Sequence, residues 1–306
     1  MAVSHREFDR WVGRGHVTWP LIVFKKHNAE LSTMLTAHAT ALKFTYQNLS
    51  KNAEWEDSVN DHFKNKEDLR LSGFTDIKSW SNSYSKADNF FNLNCIMAIS
   101  SNFETYLSTV VKLALESDVG VLFGAGRRID GIEILKHGKK KSFDFEAKVT
   151  SCTKGDWTRR INGFVKIFGE APDSLRENIK ALERIRKIRN DLGHAFGRDI
   201  KKSRNHQVVN ITKPKTLDSE KVIKYQQLVH RICKDIDKQL FHNHIGEYQS
   251  IYFYHKLRTS LKTGDYNQKR QLGNHVSILK KSLGQYGADL AGKTFCKGLI
   301  EYYEGL

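Results

Sequence analysis

The chain has 306 residues, 39% hydrophobic and 27% charged, a balance that suits a globular protein with one large core or two modest ones. No apolar run is long enough to span a bilayer, and the first ten residues are polar and charged, unlike a signal peptide, so the cytoplasm is the expected compartment. The net charge of +16 calls for a polyanionic partner, and with no convincing basic amphipathic face for a membrane surface, nucleic acid is the favoured one.

Only Pro20, Pro172 and Pro214 interrupt the chain, which favours long helices. Ala29 to Leu49 carries Leu31, Leu35, Leu42 and Tyr46 at helical spacing. Asn52 to Lys86 is polar and reads as weak helices and loops, so residues 1–87 form an N-terminal helical extension. Ala87 to Ser117 is the first strong helix, striped by Phe91, Cys95, Ile99, Phe103, Tyr106, Val110 and Leu113. Residues 120–170 are glycine-rich. They hold the run Lys139 to Lys141 and alternate at Gly131 to Leu135 and Ser142 to Val149, a pattern that predicts a loop-rich insertion with a possible β-hairpin.

A second strong helix follows Pro172, with Ser174 and Glu177 at the spacing of a capping box. Its inward stripe is Leu175, Ile179, Leu182, Ile185, Ile188, Leu192 and Phe196, and Gly197 stops it. A basic loop, Arg198 to Lys215, precedes a third helix from about Asp218 to Leu240. From 244 to 306 the chain reads as a C-terminal helical extension broken near Gly264 and Gly287. The fold class is mainly α. Cys95, Cys152, Cys233 and Cys296 are too sparse for a disulfide framework and form no Cys-x-x-Cys pair, so they read as buried small hydrophobes, with neither a zinc site nor a redox site.

The second helix ends in Arg189-Asn190-Asp191-Leu192-Gly193-His194. Asn190 and His194, four residues apart, share a helix face, and the apolar stripe leaves both off the core. Arg189 lies roughly 140° around the helix from His194, within reach of a shared phosphate through its long arm. Arg10 to His16 and Arg270 to His275 have similar spacing. The first pair flanks Gly13 and Gly15, and the second has Gln after Arg on a less certain helix.

This stretch resembles the motif of HEPN ribonucleases, in which an Arg, a polar residue and a His a few positions on lie late in a helix of an antiparallel bundle. Phe103-Glu104-Thr105-Tyr106-Leu107 on the preceding helix is similar to a segment those domains carry. Lys154-Gly155-Asp156-Trp157 with Phe164 to Gly169 resembles the group called RiboL-PSP-HEPN. The resemblance covers residues 88–243 and implies an antiparallel HEPN-type bundle with the insertion inside it. It further implies a metal-independent endoribonuclease with no cofactor, giving 2′,3′-cyclic phosphate and 5′-OH ends. Two copies would face each other as a homodimer. Toxin or anti-phage roles, with tRNA or other RNA as substrate and an antitoxin or regulatory protein as partner, follow from the same resemblance.

In that chemistry the imidazole of His194 moves the proton of the ribose 2′-OH, Arg189 stabilises the attacked phosphate, and Asn190 orients phosphate or imidazole. Glu104 is the candidate group for holding Arg189. Arg159 and Arg160 beside Trp157, and Lys201, Lys202 and Arg204 after the motif, are the candidate RNA contacts, with Lys139 to Lys141 as possible phosphate contacts. Two other readings stand beside the nuclease: a catalytically inactive HEPN-like module that binds RNA or protein, and a basic helical DNA-binding regulator, disfavoured for want of a clear helix-turn-helix.

Overall fold

The computed structural model describes residues 8–15, 17–63, 73–138, 143–207, 210–259, 261, 268–285 and 291–306, with the backbone alone for 268–270. The expected breaks at Gly264 and Gly287, the run Lys139 to Lys141, His16 and the side chain of Arg270 lie outside the described residues.

Helix α1 (Trp19–Asn52) starts ten residues before the expected helix, because Thr18 caps it. The Thr18 hydroxyl accepts the Leu21 N–H at 3.2 Å, and Pro20 sits in the first turn, where no donor is missed. After α2 (Val59–Phe63), α3 (Ile77–Ser117) also begins ten residues early. Asp76 accepts the Ser79 N–H at 2.7 Å while the Ser79 hydroxyl accepts the Asp76 N–H at 3.2 Å, a reciprocal cap hidden in a stretch that composition alone marks as loop. Those bonds hold the Asp76 carboxyl below the usual carboxylate range. Along α3, Leu93, Ile96, Ile99, Phe103, Tyr106, Leu107, Val110 and Val111 are buried at the period of a helix.

Residues 120–170 depart from the expected loop-rich insertion. After a 3₁₀ turn (Val119–Phe123) come α4 (Gly131–His137), α5 (Glu146–Thr153) and α6 (Trp157–Phe168). Among the described residues no strand forms, and a single bridge between Asp118 and Asp130 stands where a hairpin was expected. The cause lies in the punctuation. Asp130 and Asp156 cap α4 and α6 by accepting the Ile132 and Arg159 N–H groups, each at 2.9 Å, and Gly124, Gly138 and Gly169 end their helices. The glycines separate short helices instead of making open loop.

The second strong helix is split. Pro172 caps α7 (Asp173–Glu177), Asn178 interrupts, and α8 (Ile179–Ala195) follows. The capping box is not formed: the buried Ser174 hydroxyl has no hydrogen-bond partner among the described residues. Then come α9 (Ile200–Ser203), α10 (Ser219–Leu240, capped by Asp218 through the Lys221 N–H at 2.7 Å), α11 (Tyr248–Arg258), α12 (Gln268–Gly284) and α13 (Lys293–Gly305). A π-helical turn (Phe241–Ile245) extends α10. No helix among the described residues is long and apolar enough to cross a membrane.

The chain divides into two units. One comprises Met1–Val23, Glu104–Ile179 and Arg231–Leu306, the other Phe24–Phe103 and Lys180–His230. The expected divisions after residues 87 and 243 both fall inside continuous helix. The first unit has two buried polar hubs. The Asp237 carboxylate accepts the Thr18 N–H at 2.9 Å, the Thr18 hydroxyl at 2.5 Å and the Tyr106 hydroxyl at 3.1 Å. The Arg10 guanidinium pairs with Asp130 at 2.9 Å and donates to the Ile245 carbonyl at 2.7 Å and the Ser117 hydroxyl at 2.8 Å, so Arg10 is structural. In the second unit, Gln226 donates to the Asn28 carbonyl at 2.8 Å, and Asn89 brackets the connection before α10 by donating to the Lys215 carbonyl and accepting the Leu217 N–H.

Candidate functional site

Helix α8 belongs to the second unit and is amphipathic. Leu182, Ile185, Ile188 and Leu192 are buried on one side. On the other, Lys180, Glu183, Arg184, Lys187 and Asn190 recur at three- and four-residue steps. His194, seven residues after Lys187, is the next position on that stripe, within roughly 20° of Lys187 around the axis. His194 is exposed, while Arg189 and Asn190 are half-buried. Arg189, within about 40° of Leu182 and Ile185 around the axis, lies on the apolar side of the helix.

The stripe lines a groove of about 640 Å³, closed by Asp199, Ile200 and Lys201. Its walls carry Lys180, Arg184, Arg186, Lys187 and Lys201 against Glu183, Asp191 and Asp199. The acids are already engaged. Glu183 pairs with Arg186 at 2.8 Å, buried Asp191 pairs with Lys215, and Asp199 caps α9 by accepting the Lys202 N–H at 3.0 Å. That cap holds the Asp199 carboxyl below its ordinary value. Among the described residues no ion pair within 4.0 Å engages Lys180, Arg184, Lys187 or Lys201. The groove is therefore cationic and suited to phosphate oxygens. Of the expected residues, Asn190 and Lys201 line it, and exposed Lys202 and Arg204 follow on and after α9. Arg189 and His194 are not among its lining residues.

The helix ends in a left-handed turn at Phe196 (φ 55°) and Gly197 (φ 79°), with the Gly197 N–H returning to the Asp191 carbonyl at 3.0 Å. Glycine is favoured at 197 because L side chains rarely adopt a φ of 79°, and a Cβ there would also lie 2.9 Å from a methyl of Leu93. Phe196 is not the inward residue that periodicity predicts. The turn re-aims it to 60% exposure, at a backbone cost on the order of 1 kcal/mol for a bulky side chain. It stacks on Phe90, itself 39% exposed, with ring centroids 4.9 Å apart and planes 26° from parallel. No side-chain hydrogen bond or ion pair among the described residues reaches Asn190 or His194.

Glu104, Arg159 and Arg160 lie in the first unit. Arg160 is 4% exposed and committed there: it pairs with Glu104 at 3.1 Å, donates to the Gly155 carbonyl at 3.0 Å and sits 4.6 Å from the ring centroid of buried Trp157. It is a packing residue, not an RNA contact, and so is Trp157. Arg159, next to it, is 82% exposed and pairs loosely with Asp156 at 3.3 Å. The four cysteines are free and buried, as expected; burial pushes the thiols of Cys95, Cys152 and Cys296 up to about 11.

Compared with family models, with curated proteins and with solved structures, the chain matches none.

Sequence reading missed two features of the α8 region. The cation stripe is legible in the spacing of Lys180, Arg184 and Lys187 on the side of the helix away from the apolar stripe. The Phe90–Phe196 pair had no signal, because a phenylalanine at helical spacing reads as core.

Proposed function

We propose that the chain is a metal-independent endoribonuclease of the HEPN type, acting as a homodimer. The observation that carries this reading is the exposure of His194 on the same stripe as Asn190 and the groove cations Lys180, Arg184 and Lys187, which no ion pair within 4.0 Å engages among the described residues. RNA brings its own nucleophile. The 2′-oxygen attacks the adjacent phosphorus, the bond from phosphorus to the 5′-oxygen breaks, and the products are a 2′,3′-cyclic phosphate and a 5′-OH. One proton leaves the 2′-OH and one arrives at the 5′-oxygen; imidazole titrates near neutrality and does both jobs. In a homodimer two His194 side chains divide the roles of base and acid. Arg189 neutralises the charge gathering on the phosphate, and Asn190 orients it. The cellular role is that of a toxin or anti-phage effector acting on tRNA or another RNA, held in check by an antitoxin or regulatory protein.

The test is total RNA incubated with the purified chain in EDTA. Fragments ending in cyclic phosphate are expected, with the rate reduced about 10²- to 10⁴-fold in His194→Ala and about 10²- to 10³-fold in Arg189→Ala. Cleavage that survives both changes sinks the assignment, and a strictly monomeric active enzyme sinks the dimer. One observation favours a second reading, an inactive binding module: no protein group orients the imidazole of His194 within the described chain. Under that reading RNA binds, cleavage is absent, and expression of wild type slows growth no more than His194→Ala.

A further inference from the structure

We infer that Phe90, Phe196 and Arg198 form a stacking platform for an unpaired nucleobase, which makes single-stranded RNA the substrate class of the α8 site; this rests on the reading of α8 as the RNA-facing helix. Three flat groups lie together. The two rings stack at 4.9 Å, and the Arg198 guanidinium sits 5.1 Å from the centroid of Phe196. Arg198 and the turn that carries Phe196 are held from behind. Arg198 donates from Nε to the Thr212 carbonyl at 2.6 Å and from its backbone N–H to Ala195 at 3.0 Å, and the Gly197 carbonyl accepts the Lys215 N–H at 2.9 Å. The rings are left facing solvent.

The arrangement is unfavourable for folding alone. A bulky residue holds a left-handed backbone conformation in order to display its ring to water, two positions after His194. Glycine at 196 would relax that backbone. Arg198 supplies a cation at the platform itself, and Lys201, Lys202 and Arg204 are exposed within six residues of it along the chain. Exposed aromatic rings and a guanidinium plane, followed along the chain by exposed cations, suit a polyanion whose flat bases are free to stack. Bases inside a duplex are not free to do so.

A fluorescein-labelled ten-nucleotide 2′-O-methyl oligonucleotide, which lacks the nucleophile and stays intact, reports binding by anisotropy. It is used single-stranded and as a duplex, with the full chain as wild type, Phe196→Gly and Phe196→Trp. Single-strand binding tighter than duplex is expected, weakened about 5- to 150-fold by Phe196→Gly and restored by Phe196→Trp. The glycine variant removes the strained ring and keeps a residue that accepts the turn, so a loss of affinity at a melting temperature that is not lowered marks recognition. Equal affinity of wild type and Phe196→Gly, or a preference for duplex, overturns the platform. So does a change of oligomer size in Phe196→Gly with unchanged affinity, which makes the ring a subunit contact. The two readings fail separately. If wild type never cuts unmodified RNA but the oligonucleotide result holds, the platform stands and the nuclease falls. If RNA is cut with unchanged KM by Phe196→Gly, the nuclease stands and the platform falls.

Discussion

Arg159 and Arg160 are neighbours in sequence with opposite fates, and exchanging each for alanine separates packing from recognition. Arg160 is nearly inaccessible, and its partner Glu104 is 22% exposed. Removing one member of a fully buried pair costs about 3–5 kcal/mol, because the other charge is left desolvated. Glu104 retains some contact with water, which lowers the figure to about 2–3 kcal/mol. The Trp157 face also loses its guanidinium, within the same figure. Unfolding entropy of about 2.1 cal/mol/K per residue gives roughly 0.64 kcal/mol/K for this chain, so Arg160→Ala should lower Tm by about 3–5 °C. Arg159→Ala should leave Tm within about 1 °C, since its ion pair with Asp156 is exposed. Differential scanning fluorimetry measures both, and anisotropy with labelled RNA at low salt measures affinity. Arg160→Ala should bind RNA as wild type does at temperatures below its transition. An Arg160→Ala protein with unchanged Tm and weakened RNA binding would refute the placement of this guanidinium in the core.

Three further outcomes follow from the same geometry. With thiols at about 11 against an ordinary 9.0, the thiolate fraction at pH 8 falls roughly 100-fold, so Ellman's reagent should react with native protein at least that much more slowly than with the denatured chain; rapid labelling of the native state contradicts the burial of all four cysteines. Glu247 is buried and desolvation raises its carboxyl above 4.5 despite the Ser250 hydroxyl at 2.9 Å. The folded state therefore holds that proton more tightly than the unfolded one, and this group's contribution to stability declines as pH climbs from 4.5 through the raised value. Replacing it, Glu247→Gln, should flatten that decline in a Tm–pH series, and an unchanged slope counts against it. Finally, Lys201→Ala, Lys202→Ala and Arg204→Ala combined should reduce the slope of log affinity against log salt for single-stranded RNA by about 2, at roughly 0.7 per lost phosphate contact; an unchanged slope removes this segment from the interface.

The helices that sequence located best are those in which one pattern dominates. α10 was legible to within a residue because Asp218 caps it and Val222, Val229, Cys233, Ile236 and Leu240 are all buried. α1 and α3 were legible in their apolar stripes and illegible at their starts. Caps such as Thr18 and the Asp76–Ser79 pair are single polar residues, which composition averages away. The region 120–170 failed for a related reason. Glycine serves both open loops and helix ends, and only the capping bonds of Asp130 and Asp156 decide between the two.

The site shows the same division between pattern and local geometry. That His194 and Asn190 lie off the apolar side of α8 follows from counting residues. That Phe196 does not lie with Leu192 and Ile188 follows from the left-handed turn at Phe196 and Gly197 that ends the helix. Periodicity assumes the helix continues; at position 196 it has already stopped. Arg160 is the converse case. Charge alone assigned it to a surface, whereas Glu104 on α3 and the Gly155 carbonyl supply the partners that let a guanidinium go inside. Whether a cation or an aromatic ring on this chain meets solvent thus depends on what its neighbours can satisfy, and the residues best placed to touch a polyanion are Lys180, Arg184, Lys187 and Lys201 around the groove, which no ion pair within 4.0 Å engages among the described residues, and the exposed rings of Phe90 and Phe196 at the end of α8.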